Sequence, residues 1–179
     1  IGEGEKDEAP MLYNGERVGD GSGPEWDIAV DPVDGTTLTA KSLPDAVSII
    51  GVSPRGTMFS PGPAVYMQKL VVPGDAASDV DLDAPIATNL AKIAATTDRA
   101  VSDLTVCVLD RPRHAELVAA IRAAGARIRF LLDGDVAGAI MAVTPSTGVD
   151  LLVGVGGTPE GVLAACALRC LGGEMFGRL

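Results

Sequence analysis

The chain has 179 residues, of which 47% are apolar and only 3% aromatic, so a core is possible but must be packed from Ala, Val, Leu and Ile. The formal net charge of −10 argues against nucleic acid and anionic membrane as partners. No apolar run reaches transmembrane length and no signal peptide is visible, so a cytoplasmic protein is expected.

Residues 1–25 are polar and rich in glycine, with Glu3, Glu5, Asp7 and Glu8 crowded at the start. Taken alone, such a run is a solvated acidic stretch. The stretch Trp26–Thr36 is different. It begins as an apolar run with β-branched residues, as a buried strand does, and ends in a turn signalled by Pro32 and Gly35. Asp31 and Asp34 bracket that turn, and the hydroxyl of Thr36 follows at once. Hard divalent cations take carboxylate oxygens converging from a rigid mount, and a glycine such as Gly35 lets backbone approach a phosphate closely. Asp-Pro and Asp-Gly are also ordinary turn dipeptides, but the full run Asp-Pro-Val-Asp-Gly-Thr after an apolar strand is more specific and points to a metal site.

Strand-like runs are expected at Trp26–Val30, Ala46–Ser53 and Val65–Val72, and the short spacing of the last two suggests that they pair antiparallel. Tyr66 lies in the third run. Residues 73–103 form a polar connector with a helix from about Pro85 to Ala95, opened by a proline. A boundary between two lobes, 1–100 and 101–179, is expected near here. Beyond it the pattern alternates regularly. Strands are expected at Leu104–Leu109, Arg127–Leu132 and Asp150–Val155, and helices at Ala115–Ala124, Val136–Val143 and Pro159–Leu171. Such alternation implies a parallel sheet flanked by helices. The expected fold class is thus α/β, with a mixed sheet in the first lobe and a parallel one in the second.

Ligands of such sheets gather at the carboxyl ends of the strands, beside helix amino termini. The three strands end in Asp110-Arg111-Pro112-Arg113, in Asp133-Gly134-Asp135 and in Gly156-Gly157-Thr158-Pro159-Glu160. Arg111 and Arg113 suit phosphate, because guanidinium is a planar donor fork that stays charged; they are also what a solvated surface carries. Asp135 is well placed to cap the following helix. Gly157 offers a backbone N–H at a helix start. Glu160, in the first turn, is favoured by the helix dipole whatever else it does. His114 is read as a surface residue at a helix start. Cys107, Cys166 and Cys170 form no CxxC pair and read as core thiols of a reducing compartment. There is no Ser-His-Asp or Cys-His arrangement and no Walker P-loop, so the expected nucleophile is metal-activated water.

Asp31-Pro32-Val33-Asp34-Gly35-Thr36, preceded by Trp26, resembles the signature of the lithium-sensitive, metal-dependent phosphomonoesterases, the inositol monophosphatase superfamily. The runs Gly2–Glu5, Asp7–Leu12, Asp110–His114, Asp133–Gly138 and Gly156–Gly161 resemble its class II fructose-1,6-bisphosphatase family, in order along nearly the whole chain. The resemblance implies a layered α/β/α/β/α sugar-phosphatase fold. It implies metal ligands at Glu3, Asp31, Asp34 and Glu160 for Mg2+ or Mn2+, and catalytic roles for Asp34 and Thr36. It implies substrate contacts from Asp34, Gly35, Thr36, Tyr66, Arg111, Arg113, Asp133, Asp135 and Gly157. Tyr66 is equally a half-buried sheet aromatic.

The implied reaction is removal of the 1-phosphate of fructose 1,6-bisphosphate in gluconeogenesis. Sedoheptulose bisphosphate or an inositol phosphate is the alternative substrate, and a sugar-phosphate-binding module without turnover the alternative class. The small-molecule sugar bisphosphate is the expected partner, with a homo-oligomer for the full-length protein. The start at Ile1 on a motif already under way leads us to expect a piece of a longer polypeptide, with a further metal-binding aspartate upstream.

Overall fold

The computed structural model describes residues 11–179. The β-branched run before the Pro-Val-Asp-Gly turn forms β1 (Trp26–Asp34), and β2 (Val47–Pro54) returns antiparallel beside it. The register shifts between Asp31 and Asp34, a bulge of the kind that re-aims side chains near functional sites. A short helix, α1 (Thr36–Ala40), follows the turn; the β-branched threonines there conceal it from a reading of helix propensity.

The third strand does not pair with β2 as its spacing suggests. β3 (Tyr66–Pro73) lies antiparallel between β6 (Leu151–Gly157) and β7 (Gly173–Arg178). Its apolar residues Leu70, Val71 and Val72 are buried, which a place inside a sheet covered on both faces provides and a two-stranded ribbon does not. The sheet order is β5-β4-β6-β3-β7, with β4 (Thr105–Leu109) parallel to β5 (Arg127–Leu131) and to β6. The expected parallel sheet is therefore a mixed one, with a parallel core and two antiparallel strands added. β7 has no counterpart among the expected elements. Its sequence, Gly-Glu-Met-Phe-Gly-Arg, is interrupted by glycines and has little strand propensity of its own.

The expected helices appear as α2 (Ile86–Thr96), α3 (Ala115–Ala124), α4 (Val136–Val143) and α5 (Thr158–Leu171). Gly125 and Gly172 take left-handed conformations and close α3 and α5. One face of the sheet packs Leu70, Val106, Val108 and Val153 against Leu90 and Ile93 of α2 and Ile121 of α3. The other packs Val71, Cys107, Leu131 and Leu152 against Val136 and Ala139 of α4 and Leu163 and Leu168 of α5. The β1–β2 ribbon lies on α5 through small residues: Ala29 is fully buried, and a Cβ at Gly51 would come within 2.9 Å of Cys166 Sγ. Its other face leaves Trp26, Ile50 and Val52 exposed.

The cysteines are free, but only Cys107 is a core thiol; Cys166 is half-buried and Cys170 exposed. Burial pushes the Cys107 thiol up to about 12. Among the described residues no helix is long and apolar enough to cross a membrane.

Candidate active site

The end of β1 meets the start of α4. Asp34 is buried, and its Oδ2 accepts the N–H of Val136 at 3.2 Å. A carboxylate from a remote strand thus serves the orphan donor of the α4 amino terminus, where negative charge is favoured. Gly134 must be glycine here, because it has φ +68° and its Cβ would stand 2.8 Å from both Asp34 oxygens. Burial, then the charges of Asp135 and Asp31, push Asp34 up to about 7, against the Val136 hydrogen bond; Glu160 adds a smaller push. The fold has brought four carboxylates together from β1, the α4 start and α5.

Asp135 sits at the cap position of α4 but makes no side-chain cap, which corrects the capping alternative. Its Oδ2 instead accepts from Nζ of Lys69, at 2.7 Å. Lys69 was missed in the sequence, where the visible signal is a lone cation inside the apolar run Val65–Val72. Gly156 makes room for this pair, since a Cβ there would overlap Asp135 Oδ2. Gly157, likewise, is required by Glu160: a Cβ at Gly157 would overlap Glu160 Oε2, so the side chain folds back over the start of α5. Gly157 also stands opposite Tyr66 in the β3–β6 ladder.

The arginine loop is densely bonded. Arg111 donates through Nη1 to the carbonyls of Asp110 and Leu132, and through Nη2 to Asp133 Oδ1 at 2.8 Å. Asp133 Oδ2 accepts the Thr37 N–H at 2.9 Å, which ties α1 to the arginine loop. Burial works against the Asp133 carboxylate, but the Thr37 N–H and hydroxyl and the Arg111 charge outweigh it and hold the group below the usual range. Arg113 donates from Nε and Nη2 to the Val155 carbonyl, and its guanidinium lies 5.4 Å over the Tyr66 ring. His114 is not a surface residue. It is buried, with Nδ1 2.7 Å from the Leu109 carbonyl and Nε2 accepting the Val155 N–H at 2.8 Å. The two bonds place the proton on Nδ1 and make the ring a strut between β4 and β6.

The expected residues therefore fall into neighbouring groups. Asp31, Asp34 and Glu160 share the acidic pocket with Asp135. Arg113, Tyr66 and Gly157 meet at the β3–β6 edge, and Arg111 and Asp133 form the link to α1. Thr36 is the first residue of α1 and exposed, with Gly35 before it in a left-handed conformation at φ 91°. Glu3 lies outside the described residues. Among the described residues no three of the carboxylates close on one point as a formed metal shell would. The pocket nevertheless fits a divalent cation. Asp135 Oδ1 and Glu160 Oε2 are buried without a hydrogen-bond partner, and Asp34 resists ionising without added positive charge.

Comparison with known proteins points the same way. Over residues 1–179 the chain matches the family described as bacterial fructose-1,6-bisphosphatase, glpX-encoded. It is 49% identical over its whole length to a Haemophilus influenzae protein named fructose-1,6-bisphosphatase class 2, and covers 54% of that protein. It is 46% identical, again over its whole length, to the Escherichia coli K12 protein named fructose-1,6-bisphosphatase 1 class 2, covering 53% of it. The chain spans about half the length of the curated relatives it matches. With the family matched from the first residue to the last, the chain belongs to the bacterial class II fructose-1,6-bisphosphatase family.

Proposed function

We propose that the protein carrying this chain is a divalent-cation-dependent phosphatase that converts fructose 1,6-bisphosphate to fructose 6-phosphate and phosphate. The observation that carries the reading is the buried Asp34, pushed up to about 7 among Asp31, Asp135 and Glu160, next to a loop bearing two arginines. Binding of a neutral sugar does not call for such a concentration of negative charge; a cation facing a phosphoryl group does. The relatives' names support the substrate.

Asp31, Asp34 and Glu160, with Glu3 from the acidic start of the chain, would hold Mg2+ or Mn2+. Bound there, the cation would supply Lewis-acid neutralisation of charge on the phosphoryl group and the leaving oxygen. Thr36, opening α1 immediately after the two aspartates, orients the attacking water, and a neighbouring carboxylate takes its proton. The water oxygen bonds to phosphorus as the bond from phosphorus to the sugar oxygen breaks, and that oxygen receives a proton. Gly35 and Gly157 let backbone approach the phosphates. Arg111, Arg113 and Tyr66 serve the phosphate that is not cleaved. Asp135, through its unpartnered Oδ1, accepts from a sugar hydroxyl. Asp133 already serves Thr37 and Arg111 and meets a hydroxyl through its remaining lone pairs.

The exposed outer face of the β1–β2 ribbon supports a further layer there, which would complete an α/β/α/β/α arrangement in the whole protein, as a cytoplasmic homo-oligomer. The direct test is phosphate release from fructose 1,6-bisphosphate by the whole protein with and without Mn2+. Release that needs the cation and is lost in Asp34→Asn is expected; cation-loaded, folded protein without turnover overturns the reading.

A further inference from the structure

Lys69 stands inside the largely apolar strand β3, between Gln68 and the buried Leu70, and is itself 1% exposed. A lysine so far from water is tolerated only with a close counter-charge, and Asp135 Oδ2 at 2.7 Å supplies it. Two further elements leave space for the pair. Gly156 of β6 would place a Cβ 3.2 Å from Nζ, and Gly161 of α5 would place one 3.2 Å from Cε. Three parts of the fold are thus shaped around one ammonium group. Asp135 spends one oxygen on it, makes no cap to α4, and keeps Oδ1 buried without a partner. The contrast with Asp34 is informative. Asp34 takes a neutral backbone N–H and stays available to a metal, whereas Asp135 has its charge matched by a full cation and is left as an acceptor of a neutral donor.

We propose that Lys69 is a positioning residue for sugar recognition: its ammonium holds the Asp135 carboxylate in one orientation by Oδ2, so that Oδ1 can accept a hydroxyl of the sugar part of a sugar phosphate. For the nature of the ligand this rests on the phosphatase reading above. A charge-assisted bond of this kind corresponds to about 10–100-fold in recognition.

The test compares fructose 1,6-bisphosphate with phenyl phosphate, an ester without sugar hydroxyls, in the whole protein. Lys69→Met is expected to lower kcat/KM about 10–100-fold more for the sugar ester than for phenyl phosphate, mainly through KM. In an Asp135→Asn background the same change should add little, because Lys69 acts through Asp135. Equal losses on both esters, or additive losses in the double variant, overturn the inference and leave the phosphatase reading standing. If Lys69→Met does not fold, the wild-type protein decides. The nitrogen NMR signal of the Lys69 ammonium should move when fructose 6-phosphate binds and stay when inorganic phosphate alone binds; no movement overturns the inference. Should the protein cleave no phosphate ester, the phosphatase reading fails by itself. The same pair of variants, read by calorimetry on the dissociation constant of fructose 6-phosphate, then decides the role of Lys69, and a wild type that does not bind it counts against the inference.

Discussion

The arginine loop and the acidic pocket lie side by side at the strand ends, and they differ in how far their polar groups are partnered. Arg111, Arg113 and His114 are each bonded to neighbouring groups, on Asp110, Leu132, Asp133, Val155 and Leu109. That side is a finished hydrogen-bonded frame before any ligand arrives. In the pocket, Asp135 Oδ1 and Glu160 Oε2 have no partner and Asp34 is held toward its protonated form by burial and like charges. Polar networks left incomplete in a protein interior are costly, so the difference separates a bonded frame from a pocket whose buried carboxylate oxygens still lack partners.

Changes at the reacting edge should have the largest effect. Thr36→Ala is expected to leave folding and cation binding intact and to cut turnover about 10²–10⁴-fold, the scale of a positioned proton-transfer group. Thr36→Ser should keep part of the activity. Near-normal turnover in the alanine variant, followed by phosphate release, would remove Thr36 from the mechanism.

The pocket's incompleteness should appear next, as a dependence of stability on pH. The unfolded chain releases the Asp34 proton near 3.8, while the folded chain holds it up to about 7. Between those values the folded state binds more protons, so its stability falls as pH rises. The contribution is fully present below the unfolded value and lost above the folded one, at most about 4 kcal/mol at about 1.36 kcal/mol per pH unit. Denaturant titrations of cation-free protein should show this slope, and Asp34→Asn or added Mn2+ should flatten it. An equal slope in Asp34→Asn would place its origin elsewhere.

On the other side, loss of Arg113 should cost roughly 1.5–3 kcal/mol in substrate binding, a charged hydrogen bond's worth. The cost should be greater for a bisphosphate than for a monophosphate, and equal costs would show that the distal phosphate is read by other groups. Arg111→Ala should in addition loosen Asp133 from Thr37, visible as a KM change combined with lower kcat.

The smallest effect comes at the floor of the pocket. Gly157→Ala places a methyl group where the Glu160 carboxylate lies and should weaken cation binding about 10–100-fold, as displacement of a supporting group does. Unchanged Mn2+ affinity by calorimetry would show that the position of Glu160 is not what the cation needs.

Periodicity along the chain was enough to read α2 to α5 and β4 to β6 to within a residue or two, because each has its own apolar face, and α3 and α5 end at glycines in left-handed conformations. The run from Asp31 to Thr36 and the three polar strand ends were legible for the same local reason: chemistry placed at turns leaves short, recognisable strings. What those strings could not convey is partnership. Which strand β3 lies beside depends on burial of both its faces, and residues near it in sequence did not supply that. Whether Asp135 caps a helix or pairs with an ammonium depends on Lys69, which lies 66 residues away in strand β3. His114 looked like a surface residue because nothing near it in sequence reveals the carbonyl of Leu109 and the amide of Val155 that enclose it. Sequence determined the elements and their chemical endowment, since propensity, capping and turn geometry act over a few residues. Tertiary structure decided pairing, burial and the charge state of Asp34, since these depend on desolvation and on charges that come together only when remote segments pack.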